Sequence, residues 1–330
     1  MDKNMTHLFI LNPKSFWNMW KQTQVLNRIQ SFFSSIENSD YSIHISRFPR
    51  DAAGFIPVFA RTLPKETVLR VYAIGGDGIL FDCLNGIMDI ENAELASIPY
   101  GHINNFIRGF GKTEDVFFKR LALQYNAPTI SIDVIRCGAN YALSHCIIGM
   151  EAEIARSVEK IREKMQKGNS FSQWLARKLY MTLYYFSVLS VISNNELMLQ
   201  RYELDIDGEK SSGDYLGLHI YNAPFINGSL HPVRNAMPND GICDMIIPQE
   251  QGRRQVFRML PLFLSGSRNP TPRHFIYKQL KKISVNSDKI LRVNLDGIVF
   301  FDSSLELELL PSALQFVDAT RRGYKGVADE

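Results

Sequence analysis

Along the first third of the chain, apolar positions switch repeatedly between short continuous runs and helical spacing. "HLFILN" (7–12) is an apolar run closed by Asn12-Pro13, where the proline forbids a simple continuation. Residues 17–33 then place Trp17, Trp20, Val25, Ile29 and Phe32 at roughly helical intervals. "YSIHISRF" (41–48) alternates with period 2. "DAAGFIPVFARTL" (51–63) opens with Asp51 as a helix cap, although Pro57 should disturb the helix. "TVLRVYAI" (67–74) reads as the next strand. After it, Leu80, Phe81, Leu84, Ile87 and Met88 fall on one face of a helix. "ELASIPY" (94–100) is a further strand, and "NNFIRGFG" (104–111) begins a further helix.

Strands alternating with helices predict a mostly parallel sheet covered on both faces, with ligands beyond the carboxyl ends of the strands. Asn12-Pro13, Gly75–Gly78 and Gly101–Asn105 all fall at that edge, so three loops distant in sequence are expected to converge on one site. From about residue 128 the pattern changes to short β-branched runs bounded by turns: "TISIDVIRCG", "YALSHCIIG", "RYELDIDGE", "YLGLHIYNAP", "GICDMIIP", "KKISVNS" and "LRVNLDGIVFF". Asp207-Gly208 and Asp296-Gly297 read as hairpin turns, and residues 151–193 as a helical insertion. The expected architecture is therefore α/β plus β. A mostly parallel α/β domain (1–127) precedes a mainly-β sandwich with a helical insertion (128–330), whose C-terminal segment packs back on the first domain.

Composition changes this picture little. Hydrophobic content of 45% over 330 residues suits globular domains with ordinary cores. A net charge of +3 without any Lys/Arg block gives no argument for a nucleic-acid partner. Cys83, Cys137, Cys146 and Cys243 form no CxxC pair, which argues against a disulfide framework or zinc site and for a reducing cytosol. The first residues contain no signal-peptide pattern. The most membrane-like stretch, 179–193, is shorter than a bilayer span and reads as a buried helix. A cytoplasmic protein is expected.

Gly75-Gly76-Asp77-Gly78, between a strand and a helix, is the most informative short stretch. Glycines there let the backbone N–H groups at a helix N-terminus approach phosphate oxygens closely. A carboxylate in that place would repel phosphate unless it holds Mg²⁺ through water or takes a proton from an attacking hydroxyl. Equally, Asp77 could be a plain N-cap in a tight turn. The stretch is neither GxGxxG nor GxxxxGK[ST], so neither a dinucleotide Rossmann site nor a P-loop is supported.

Five segments in order change that balance. "GGDGILFDCLNGIM" resembles the GGDGT-x-NEV-x-NGL signature of the diacylglycerol kinase catalytic-domain family, which includes bacterial lipid kinases and sphingosine and ceramide kinases. "FILNPKS", "IHISRFPRDA", "IPYGHINNFIRGFG" and "NAPFINGSLHPVRNAMPNDGICDMIIP" resemble its other segments, and the resemblance spans about residues 6–317. It implies an ATP- and Mg²⁺-dependent kinase acting on a lipid hydroxyl, such as that of diacylglycerol or a sphingoid base. The first domain then becomes the nucleotide-binding catalytic domain. Asn12 and Ser46 would line the nucleotide pocket, with Gly75, Gly76 and Gly78 around the phosphates and Gly101, His102 and Asn104 on the adjoining loop. Asp77 would be the base, and Asp240 would hold magnesium with the backbone carbonyls of Met237 and Ile242.

The resemblance also has departures. The Thr of the glycine motif is Ile79, and the loop GTxND becomes Gly101-His102-Ile103-Asn104-Asn105. Ile298 stands where the family carries the Glu of Asp-Gly-Glu, the residue usually assigned as base or orienter. Asp77 then carries more of the catalysis, and a catalytically impaired relative that binds lipid or nucleotide is the first alternative. An NAD-kinase-like enzyme, which also has a GGDG loop, is the second. A lipid partner implies a membrane surface, so peripheral attachment is expected. The basic, aromatic-bearing stretches 155–186 and 267–282 suit either that contact or an ordinary solvated face. A homodimer is left open.

Overall fold

The computed structural model describes residues 4–15, 19–36, 40–101, 104–111, 118–166, 187–190, 193, 199–226, 231–248 and 275–327. The chain forms two compact units. One comprises Met1–Ser144, Asn222–Ile242 and Leu309–Glu330, and the other His145–Tyr221 and Cys243–Glu308. Both are discontinuous, whereas the sequence pattern marks its change at 127/128. The first unit recruits residues 222–242 and the C-terminal 22 residues from later in the chain.

In the first unit, β1 (Met5–Leu11), β2 (Asp40–Ile45), β3 (Val68–Gly75) and β4 (Ala93–Pro99) are parallel, in the order β2-β1-β3-β4. The last residues of β14 (Ile298–Val317) extend this sheet, with Gln315 and Phe316 parallel to Glu94 and Leu95 of β4. The two faces of β1 show why the run is continuously apolar rather than alternating. Phe9 and Leu11 pack with Val25, Ile29 and Phe33 of α1 (Met19–Ser34). Leu8 and Ile10 share the opposite cluster with α2 (Asp51–Ala60) and α3 (Asp77–Ile87), through Ile56, Leu80, Cys83 and Leu84.

Asp51 does not cap α2. Arg50 occupies the N-cap in the left-handed region (φ 69), and Asp51 is the first helical residue. Its Oδ2 instead accepts the Arg47 N–H at 2.9 Å and lies 3.0 Å from His44 Nε2. The strained Arg50 is held from α3, where Asp82 Oδ2 accepts its N–H at 2.9 Å. Burial raises the Asp82 carboxyl above its ordinary range, and the Arg50 N–H offsets only part of that. α2 runs through Pro57 without ending, its next turn intact through the Arg61 N–H to the Pro57 carbonyl.

A short helix α4 (Asn105–Arg108) and another, α5 (Leu121–Tyr125), follow β4, then the hairpin β5 (Thr129–Cys137) and β6 (Asn140–Ala142). Lys325 and Gly326 donate to the Gly109 carbonyl, and Tyr324 joins Phe106, Phe110 and Phe316 in an aromatic cluster.

The second unit is a β-rich sandwich. It contains β7 (His145–Gly149), α6 (Met150–Gln166), β8 (Gln200–Ile206), β9 (Glu209–Tyr215), β10 (Gly217–Tyr221), β11 (Cys243–Pro248), β12 (Phe275–Leu280), β13 (Lys282–Leu295) and β14 up to Glu308. β13 serves two pairings. Its first half pairs with β8 and its last residues with β7, while β14 follows it on the other edge. A register shift between Asn286 and Leu291 separates the halves, and such irregularities bend a strand from one layer into the next. Both Asp-Gly pairs form two-residue hairpins with positive φ at each position: Asp207 50 and Gly208 93, Asp296 47 and Gly297 91. Among the described residues no helix is long and apolar enough to cross a membrane. Most of 179–193, and residues 167–186 and 267–274 of the two basic stretches, lie outside them.

His7 lies buried on β1, 2.9 Å from the Tyr72 hydroxyl. Burial, then the Arg70 charge, holds its imidazole down at about 4 against an ordinary 6.5. The unfolded chain therefore takes up this proton first as pH falls. The contribution of neutral His7 is fully present above about 6.5 and is lost progressively towards pH 4. Urea midpoints should fall as pH drops from 7 to 4.5, and less steeply in His7→Gln. An equal slope in both proteins would contradict this.

Candidate functional site

Four parallel strands end at one edge of the first unit, and their following loops hold one another through backbone. At the end of β1, Asn12 donates its N–H to the Ile74 carbonyl at 3.1 Å. Its Oδ1 accepts the Lys14 N–H at 3.0 Å, a turn leading into the 3-10 segment Pro13–Ser15. Ser46, at the end of β2, is buried and donates its N–H to the Leu11 carbonyl at 2.9 Å. At the end of β3, the Gly75 carbonyl accepts both the Tyr100 and Gly101 N–H groups at 2.9 Å.

Two glycines at this edge are fixed by close approach. A Cβ on Gly75 would stand 2.7 Å from both Ser15 Oγ and Ile79 Cγ2, and one on Gly101 would stand 2.3 Å from Gly76 Cα. Gly78 differs. It is exposed, and a Cβ there would meet nothing within 4 Å.

The plain capping reading of Asp77 does not hold. Gly76 is the N-cap of α3, and Asp77 is the first helical residue. Asp77 Oδ2 accepts the N–H of Asn105, the first residue of α4, at 2.9 Å. Asn104 Nδ2 in turn donates to the Gly101 carbonyl at 3.0 Å. The carboxylate thus spans two loops and stands at the positive end of α3, where a negative group is stabilised. His102 lies outside the described residues.

Asp240 sits on a different loop of the same unit. Its Oδ1 accepts the Ile242 N–H at 3.2 Å, and Gly241 has φ 77. The loop hangs on Asp133 of β5, a buried carboxylate that accepts Gly241 N–H and Ser312 N–H, each at 2.7 Å. Asp133 also donates its own N–H to the Pro238 carbonyl at 2.7 Å. Met237 lies in this loop, its Sδ 2.9 Å from where a Cβ on Gly326 would be. One carboxylate with neighbouring carbonyls is oxygen chemistry of the kind a hard cation takes. Among the described residues no group of three or more His, Cys, Asp or Glu could enclose a metal, so such a cation would keep much of its water.

The structure thus brings Asn12, Ser46, Gly75, Gly76, Asp77, Gly101 and Asn104 to one edge. It places Met237, Asp240 and Ile242 on the Asp133-anchored loop. Ile298 opens β14 within the second unit and is 37% exposed. Its neighbour Asp296 is spent on structure, accepting the His145 N–H at 2.8 Å. Sequence reasoning missed Ser15, Asn105 and Asp133. Asp133 had a signal, since a carboxylate inside the apolar run "TISIDVI" must be satisfied if the run is buried. Asn105 gave none, because it contributes its backbone.

A parallel sheet whose edge carries an interlocked glycine loop, followed by a β-sandwich unit, defines the class. Residues 6–137 match the diacylglycerol kinase catalytic domain, and residues 147–318 match the YegS C-terminal NAD kinase beta sandwich-like domain. The chain belongs to the diacylglycerol kinase catalytic-domain family, as a divergent lipid-kinase-like member. Proteins of Staphylococcus aureus strains JH9 and N315 that carry provisional lipid-kinase names are 25% identical over 250 residues, covering 75% of this chain and 76% of theirs. Two crystal structures of Bacillus anthracis strain Sterne proteins, one named a diacylglycerol kinase and the other provisionally so, share the fold. Their TM-scores are 0.64 and 0.70 at 17% and 20% identity, and each alignment covers 96% of this chain and at least 96% of theirs.

Replacing Gly101 tests the interlock. Gly101→Ala forces backbone against backbone, and overpacking of this kind costs about 1–3 kcal/mol. Urea unfolding of the variant should show a loss of that order. An unchanged midpoint would mean that the loops are not tightly joined.

Proposed function

We propose that this protein transfers the γ-phosphate of ATP to a hydroxyl of a lipid such as diacylglycerol or a sphingoid base. The carrying observation is the Asp77 carboxylate, tied to Asn105 N–H beside a helix N-terminus that the glycines leave open. Gly78 supports it, because neither packing nor backbone angle requires a glycine there. Room for phosphate oxygens would.

In this reading the N–H groups of Gly76–Ile79 and the α3 dipole receive the phosphates. Asn12 and Ser46 border the nucleotide, and Gly101 and Asn104 fix the floor of the loop. Asp77 takes the proton of the lipid hydroxyl as its oxygen bonds to the γ-phosphorus, while the bond to the β–γ bridging oxygen breaks and ADP leaves. Asp240, with the carbonyls of Met237 and Ile242, would hold Mg²⁺ on its loop. A bound Mg²⁺ supplies charge neutralisation and structural order there. Peripheral contact with a membrane follows from a lipid substrate.

A second reading has its own observation. Ile298 offers no carboxylate where the family uses one, so a slow or non-catalytic binder of lipid or nucleotide follows if that position supplies the base. The two are separable with labelled ATP, Mg²⁺ and a lipid panel. Asp77→Asn keeps an oxygen for the Asn105 N–H, so it should fold normally and lose about 10²- to 10⁴-fold in turnover, the usual range for a general base. Equal turnover in both proteins would remove Asp77 from the mechanism. Ile298→Glu should raise kcat if the lost carboxylate limits the rate. No transfer by any form, with lipid-induced thermal stabilisation intact, would establish the binder.

A further inference from the structure

The parallel sheet of the first unit ends on β2, and the flank of β2 turned away from β1 has no role in the proposed reaction. β2 pairs with β1 from Thr6↔Asp40 to Leu11↔Ile45 without a bulge, and no strand among the described residues pairs with its other side. Just past its end, Ser46 donates its N–H to the Leu11 carbonyl of β1. Backbone direction repeats every second residue, so the N–H and C=O groups of Tyr41, Ile43 and Ile45 face the open flank. Monomeric proteins blunt such edges with lysines, prolines or bulges. β2 reads Asp40-Tyr41-Ser42-Ile43-His44-Ile45, and its one carboxylate, at the start, accepts from Thr6 Oγ1 at 3.2 Å.

α2 lies over the same end of the sheet. The His44 ring stacks on Phe55 at 3.8 Å and 12°, and Phe55 on Phe59 at 5.9 Å. From Ala52 to Ala60 this helix carries no charged residue. Gly54 and Val58, one turn apart, both face outward; Val58 is 60% exposed and Ile45 on β2 is 40% exposed. Glycine inside a helix is destabilising relative to alanine, and a Cβ at Gly54 would meet nothing within 4 Å. A close neighbour against this face would account for it.

We propose that this flank pairs with the same flank of a second copy of the chain, antiparallel about a two-fold axis at Ile43. Ile43 then lies opposite its counterpart and Tyr41 opposite Ile45, so each outward N–H and C=O of those residues meets a partner. The alternate positions match as well: Ser42 falls opposite His44 and Asp40 opposite Ser46, with no like charges directly opposed. The two copies of α2 flank the axis on one face of the joined sheet. Their charge-free surfaces have the composition of an interface core. A lipid surface would accept Ile45 and Val58 but would leave the strand's N–H and C=O groups unsatisfied, which decides for a polypeptide. An identical strand satisfies the spacing on both sides of Ile43 at once. The assembly closes at two copies, because each pairing consumes the flank of both. The proposal concerns assembly and does not rest on phosphoryl transfer.

The test is sedimentation equilibrium of the full chain over a dilution series, where a single transition to twice the monomer mass is expected. Ile45→Lys puts a cation on the open flank and Val58→Glu a carboxylate on α2. Both change exposed side chains, so circular dichroism should be unchanged while each weakens association tenfold or more. Ile43→Cys reads the register, because residues facing across a hydrogen-bonded antiparallel pair have Cα atoms about 5.5 Å apart, inside the disulfide range of about 4.4–6.8 Å. All four native cysteines are buried. Mild oxidation should therefore link two copies of Ile43→Cys, and not two copies of Glu91→Cys, an exposed position just before β4. A monomer at every concentration would overturn the proposal. So would a dimer that both charge variants leave intact, an open-ended assembly, or cross-linking at Ile43→Cys no better than at Glu91→Cys.

Discussion

The candidate site depends on one close contact, the backbone of Gly101 lying against Gly76 while the Gly75 carbonyl takes two N–H groups from the same loop. No side chain can be inserted there without moving backbone. The contact sets the distance between the ends of β3 and β4, and so places Asn105 N–H where Asp77 can use it. Asp77 is thereby tied to the start of α4, and α3 opens on Gly76 with no side-chain cap from that residue. Sterics at two glycines thus decide the electrostatics of the whole edge.

The fold was legible because both of its periods are strong. β1 and β3 are buried on both faces and read as continuous apolar runs, and the Asp-Gly hairpins carry their turn chemistry openly. The glycine loop was legible as a motif and the convergence of three loops as topology. Asn105 was not, because a backbone N–H has no residue signature. Asp51 misled for a related reason. An acidic residue at a helix start is a fair cap, but here Arg50, pinned by Asp82 from the next helix, takes the cap position. Only tertiary contact could reveal that.

Asp133 shows how loops distant in sequence become one unit. Its two carboxylate oxygens hold Gly241 and Ser312, both in the left-handed region, and its N–H holds Pro238. A buried charge is tolerable when every oxygen is donated to in this way. The Asp240 loop therefore inherits its position from β5, and so does the C-terminal half of β14. The family match supplies the lipid-kinase class.

The claim that the glycine loop is the nucleotide's phosphate cradle can be tested without turnover, by amide hydrogen exchange with and without a non-hydrolysable ATP analogue and Mg²⁺. The account predicts selective added protection at residues 75–80 and 101–106, with lesser protection near Asn12 and Ser46. Unchanged exchange at 75–80, with protection appearing elsewhere or nowhere, would contradict it.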